Sequence, residues 1–176
     1  VIGLDQFPEI KDIAETGTTL IENALIKART VHKITGLPSL ADDTGLEVDV
    51  LDGAPGVYSA RFAGENPTFE DNVNKMLTAL SDIPDDKRTA RFRTALAFVD
   101  SNSELCEEGV IEGKITEKPR GEDGFGYDPI FEPANETKTF AEMANEEKNR
   151  ISHRARALEK MQKTLKHYFE KGVSID

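Results

Sequence analysis

Two adjacent carboxylates, Asp42 and Asp43, close the short apolar run Leu37 to Ala41 and are followed by Thr44 and Gly45. Burying such a pair without partners is costly, so something must compensate. A hard cation such as Mg²⁺ would do so, because it takes carboxylate oxygens and water as donors. Strand side chains alternate between faces, so both acids serve one site only if the chain turns there, and Gly45 permits a turn. A strand-end turn with solvated acids accounts for the same residues. Glu15, just ahead of a helical pattern, is a third oxygen ligand or an acid favoured by the helix dipole. Lys27, one turn beyond Glu22, reaches a phosphate or is simply solvated.

Two further stretches carry chemistry. Gly124-Phe125-Gly126-Tyr127-Asp128-Pro129 places two aromatic rings and an acid among flexible glycines. Such a loop lays a ring against a purine, or fills the core with it. Glu147 to Arg154 enters the last helical pattern with Ser152 as N-cap, and His153 and Arg154 stand in a first turn that favours acids. A bound anion removes that conflict, so Lys148, His153 and Arg154 can hold a phosphate or a base carbonyl. A basic helix surface is the plainer alternative.

The elements that must position these residues follow from periodicity. Thr19 with Glu22 forms a capping box, and Leu20, Ala24, Leu25, Ala28 and Val31 recur at helical spacing until Gly36 and Pro38. Leu37 to Ala41, a turn at 42–45, and Leu46 to Val50 read as strand, turn, strand. Thr68 and Asp71 cap a second helix, which ends by Pro84. Ala90 to Val99 and Leu105 to Ile115 alternate as long strands joined in a hairpin. Lys118 to Gly126 is an irregular loop, Pro129 to Phe131 a short strand, and Ser152 to Lys171 an amphipathic helix with a basic outer face. Helices and strands therefore intermix in an α/β or α+β domain.

With 176 residues, 38% hydrophobic and 31% charged, the chain suits one domain with a real core. No apolar run approaches the ~20 residues that span a bilayer, and Val1 to Phe7 is no signal peptide. The lone cysteine, Cys106, fits a reducing cytoplasm. A net charge of −11 argues against nucleic acid as a partner, since that binding depends on Lys and Arg meeting phosphates. An anionic ligand would need a cation or a local basic cluster.

Taken in order, these motifs closely resemble the inosine triphosphate pyrophosphatase family, enzymes of non-standard purine nucleoside triphosphates. The resemblance runs through Glu15 to Ala24, Ala41 to Asp49, Gly53 to Arg61, Gly124 to Pro129, Glu147 to Asn149 and Ser152 to Arg154. It implies one domain over residues 1–176, an α/β fold with an elongated mixed sheet flanked by helices in two lobes, and a homodimer. It also implies Mg²⁺-dependent (or Mn²⁺-dependent) cleavage of ITP, dITP or XTP to monophosphate and pyrophosphate. By position Asp43 is the general base, with Glu15, Asp42 and Asp43 near the metal and Lys27 and Thr44 by the phosphates. Phe125, Gly126, Tyr127, Asp128, Lys148, His153 and Arg154 form the base and substrate pocket. Family members open with a strand, a phosphate-cradling loop of pattern Thr/Ser-x-Asn-x-x-Lys and a helix. That pattern is not found here, so the expectation is of a chain without that segment. The alternative is a nucleotide-binding or scaffold protein that keeps the fold without turnover.

Overall fold

The computed structural model describes residues 1–170. Its centre is a long hairpin, β3 (Thr89–Val99) and β4 (Glu104–Ile115), turned where Asp100 Oδ1 accepts from the amides of Asn102 and Ser103. β1 (Ser39–Val48) lies against β3 over ten residues, from Ser39 opposite Val99 to Val48 opposite Ala90. Short edge strands complete the order β2-β1-β3-β4-β5, with β2 at Pro55–Gly56 and β5 at Phe131–Pro133, and all four pairings are antiparallel. The α/β class expected from the sequence is what the chain adopts, but the sheet expected to be mixed is wholly antiparallel among the described residues.

The expected turn at 42–45 is absent: β1 passes through it as one strand. The ladder to β3 supplies the backbone partners, and Thr44 and Thr94 bond across it through their hydroxyls at 2.6 Å. Gly45 serves packing rather than turning. A Cβ there would stand 2.6 Å from the Gly56 carbonyl oxygen of β2.

Period-two alternation gives the sheet two faces. On one, α1 (Leu20–Thr35) lays Leu20, Ala24 and Ala28 onto Ala95, Ala97 and Val99. Its capping box forms as the sequence predicts, with Glu22 N donating to Thr19 Oγ1 and Thr19 N to Glu22 Oε2. Glu22 is thus committed to the helix start. Gly36, at φ +71°, ends the helix in the left-handed conformation that glycine adopts without strain.

On the other face, Leu46, Val48 and Phe92 join Val73, Met76 and Leu80 to form the larger core. The last three come mainly from α2 (Phe69–Ala79) and its end. α3 (Asn145–Ile151) and α4 (His153–Glu170) follow. Lys171, the expected end of the last helix, lies outside the described residues. Seven-residue α3, with Ile151 its only large apolar side chain, had no periodic signal to read. α4 packs Ala157 and Met161 on Leu96 and Phe98. It comes so close that a Cβ on Gly109 would lie 2.0 Å from the His153 carbonyl oxygen.

Candidate active site

Because β1 is continuous, its pleat sends Asp42 and Asp43 to opposite faces of the sheet. Asp43 points to α1, where it is buried. Its Oδ1 accepts from Lys27 Nζ at 2.7 Å and its Oδ2 from Asn23 Nδ2 at 3.2 Å. Lys27 Nζ also donates to Glu15 Oε1 at 2.7 Å. Fully buried Asn23 takes the Gly17 amide at 2.8 Å and so ties the Glu15 segment to the same cluster. Burial pushes the Asp43 carboxyl above the usual aspartate range, against the lowering pull of Lys27. Burial would pull Lys27 down, but its bonds to Asp43 and Glu15 outweigh that and hold it above the ordinary lysine value.

On the opposite face a cavity of about 560 Å³ opens. Thr44, Leu46 and Phe92 form its floor, the 124–128 loop one wall, and Lys148 with 152–155 another. Asp128 fixes the loop: its Oδ2 accepts from the Phe125 amide at 2.8 Å and pairs with Lys148. Lys148 Nζ stands 4.9 Å from the Phe125 ring centre, a cation–π contact. Arg154 pairs with Asp42 at 3.0 Å. His153, only 5% exposed, stacks on Phe92 with ring centres 4.7 Å apart. Burial, reinforced by the charges of Arg154 and Lys148, pushes its pKa down to about 3, so the ring is neutral near pH 7. Its buried Nδ1 has no hydrogen-bond partner. A neutral imidazole offers one donor and one acceptor, which suits the edge of a base better than a phosphate.

Residues 1–164 match the Ham1 family. The chain belongs to it. A dITP/XTP pyrophosphatase of Vibrio cholerae is 49% identical over 168 residues, covering 94% of this chain and 84% of its own. One from Thermoanaerobacter pseudethanolicus is 54% identical over 164 residues, covering 93% and 80%. Among solved structures, a HAM1 protein from Coxiella burnetii matches with a TM-score of 0.85 and 46% identity, over 90% of this chain and 82% of that one. The Staphylococcus aureus Ham1 protein gives 0.88 and 38%, over 95% and 86%. The resemblance drawn from the sequence therefore holds.

In this Ham1 chain eight predicted site residues meet at the cavity: Thr44, Phe125, Gly126, Tyr127, Asp128, Lys148, His153 and Arg154. Their parts differ. Tyr127 is buried in the core and donates its hydroxyl to the Ser59 carbonyl at 2.9 Å, so it holds the loop, while Phe125 stays exposed. Thr44 lies on the cavity side of β1, across the strand from Lys27. Glu15 and Asp43 converge on Lys27, whereas Asp42 is turned to Arg154. Two hard carboxylates around one ammonium are donors of the kind a divalent cation takes, so Glu15 and Asp43 fit Mg²⁺ and Asp42 does not join them. Among the described residues no three His, Cys, Asp or Glu gather as a ready metal site. Sequence reasoning missed Asn23, Ser59, Phe69 and Asn72. A polar Asn23 on the apolar face of α1 was the one available signal.

Proposed function

We propose that this chain hydrolyses ITP, dITP and XTP to the monophosphate and pyrophosphate. The observation that carries the reading is the pairing, across one strand, of a cavity large enough for a base with a half-buried acid–lysine cluster. A nucleotide with its base in the cavity would bring its phosphates toward Asp43 on the same strand. Asp43, held by Lys27 and Asn23, accepts a proton from water as the water oxygen bonds to the α-phosphorus. The bond from that phosphorus to the bridging oxygen breaks, and pyrophosphate leaves.

Glu15 and Asp43 would hold Mg²⁺ or Mn²⁺, which when bound offsets phosphate charge and lowers the pKa of water. An acidic protein needs such a counter-charge to admit a triphosphate beside carboxylates. Arg154, Lys148 and neutral His153 would read a 6-keto group. The amino group of adenine meets donors there, and each buried mismatch costs about 1 to 3 kcal/mol. A homodimer belongs to the same reading, supported by exposed Ile34, Leu37 and Leu40 outside the cavity. A cytoplasmic location fits the free thiol of Cys106, and no described helix is long and apolar enough to cross a membrane.

Pyrophosphate release from ITP and ATP, with and without chelator, tests the proposal. ITP should be preferred by about tenfold or more in kcat/KM, and chelator should abolish turnover. Equal kcat/KM refutes the keto readout, and full activity in chelator refutes the metal. Binding of ITP without turnover favours the non-catalytic alternative.

A further inference from the structure

Phe69 and Phe125 are the two aromatic rings that the cavity leaves open to solvent, 62% and 54% exposed. Large exposed apolar groups beside a cavity mark a surface that expects a ligand. Their ring centres are 6.4 Å apart and their planes 45° from parallel, a tilted contact in which the rings do not stack on each other. A flat base between two rings makes a carbon contact of about 3.5 Å on each side, roughly 7 Å in all. To admit a base the two rings must turn from 45° toward parallel and their centres must move slightly apart, a side-chain rearrangement open to two largely exposed rings.

Both walls are held from behind. Phe69 opens α2 on a capping box, with Thr68 N donating to Asp71 Oδ2 at 2.8 Å and Asp71 N to Thr68 Oγ1 at 3.1 Å. Buried Asn72 anchors that helix start, accepting from the Ala63 amide at 2.7 Å and donating to the Ala60 carbonyl at 3.1 Å. Phe125 is held by the bond of its amide to Asp128. The rings therefore come from independent, fixed backbones and need no packing against each other.

We propose that Phe69 is a substrate-binding residue that stacks on the purine from the side opposite Phe125, so that the base is clamped between two rings. This rests on the base cavity proposed above. Stacking is tolerant of base identity, because every base has a π-face. The clamp therefore supplies affinity for flat bases, and the keto preference is left to Lys148, His153 and Arg154 at the edge.

The chain contains no tryptophan, so Phe69→Trp introduces a single reporter at the clamp. IMP should quench its fluorescence with the affinity that calorimetry gives for the wild type, and ribose 5-phosphate, which has no base, should not. Phe69→Ala should bind IMP about tenfold more weakly and raise KM for ITP to match, with kcat nearly unchanged. Its thermal unfolding should not move, since the side chain is largely exposed. Unchanged IMP affinity in Phe69→Ala, no quenching by bound IMP, or equal quenching by ribose 5-phosphate each overturns the clamp. If wild-type ITP hydrolysis is intact in such a case, only the assignment of Phe69 is lost. A wild-type chain that neither binds IMP nor hydrolyses ITP removes the base cavity and the clamp with it.

Discussion

His153 couples the site to the stability of the whole chain. In the folded state its pKa lies near 3, against an ordinary value of 6.5. The unfolded chain therefore takes up a proton there as pH falls through 6.5, while the folded chain does not until near 3. Stability from this group is fully present above about pH 6.5 and is lost on acidification, by about 1.4 kcal/mol for each pH unit well inside the window. Between pH 7 and 4.5 the loss integrates to about 2.5 kcal/mol. His153→Phe isolates it: the new ring can keep the stack on Phe92, and the imidazole makes no hydrogen bond that would be broken. Urea unfolding followed by circular dichroism, at several pH values from 7 to 4.5, should show the wild type losing about 2.5 kcal/mol more than the variant. Parallel pH profiles would refute the buried neutral imidazole, and so would a His153 ring proton that titrates near pH 6.5 by NMR.

Asp43→Asn should lower kcat on ITP by about 100-fold or more. Because burial already pushes this carboxyl up, its ionisation costs stability as pH rises, so the amide should unfold no more easily at pH 7. A folded variant with near-normal turnover would remove Asp43 as the base. Gly109→Ala would set a methyl 2.0 Å from the His153 carbonyl oxygen and 2.4 Å from Ala157 N, both backbone atoms. α4 must then shift, with a loss of about 1 to 3 kcal/mol and a fall in kcat/KM for ITP. An unchanged melting temperature would show that the approach of α4 is not tight.

What was legible in the sequence was local. The boxes Thr19–Glu22 and Thr68–Asp71 form as read, because each is closed by residues three apart. Strict alternation disclosed β3 and β4 within a residue of their ends. The straight run of β1 through Asp42-Asp43-Thr44-Gly45 was not legible, since its partners on β3 lie some fifty positions away. For the same reason the split of the two acids escaped notice: spacing suggests a shared site, and only the strand's continuity separates them. The meeting of Phe69, Asn72 and Ser59 with the 124–128 loop is likewise a product of packing, with no mark in the local sequence.

The ten-residue register of β1 on β3 also acts as a reading frame. Each odd-numbered position from Ala41 to Glu47 serves the α1 face, and each even-numbered one from Asp42 to Val48 the cavity face. Deleting one residue from 41–45 would either slip the ladder or turn every later side chain over, putting Leu46 and Val48 under α1 and Glu47 into the core. A substitution along this strand disturbs one side chain; a change of length displaces every side chain after it. Libraries that vary the enzyme's chemistry should therefore hold the length of residues 39–48 fixed and place insertions outside the paired strands and away from the 118–128 loop.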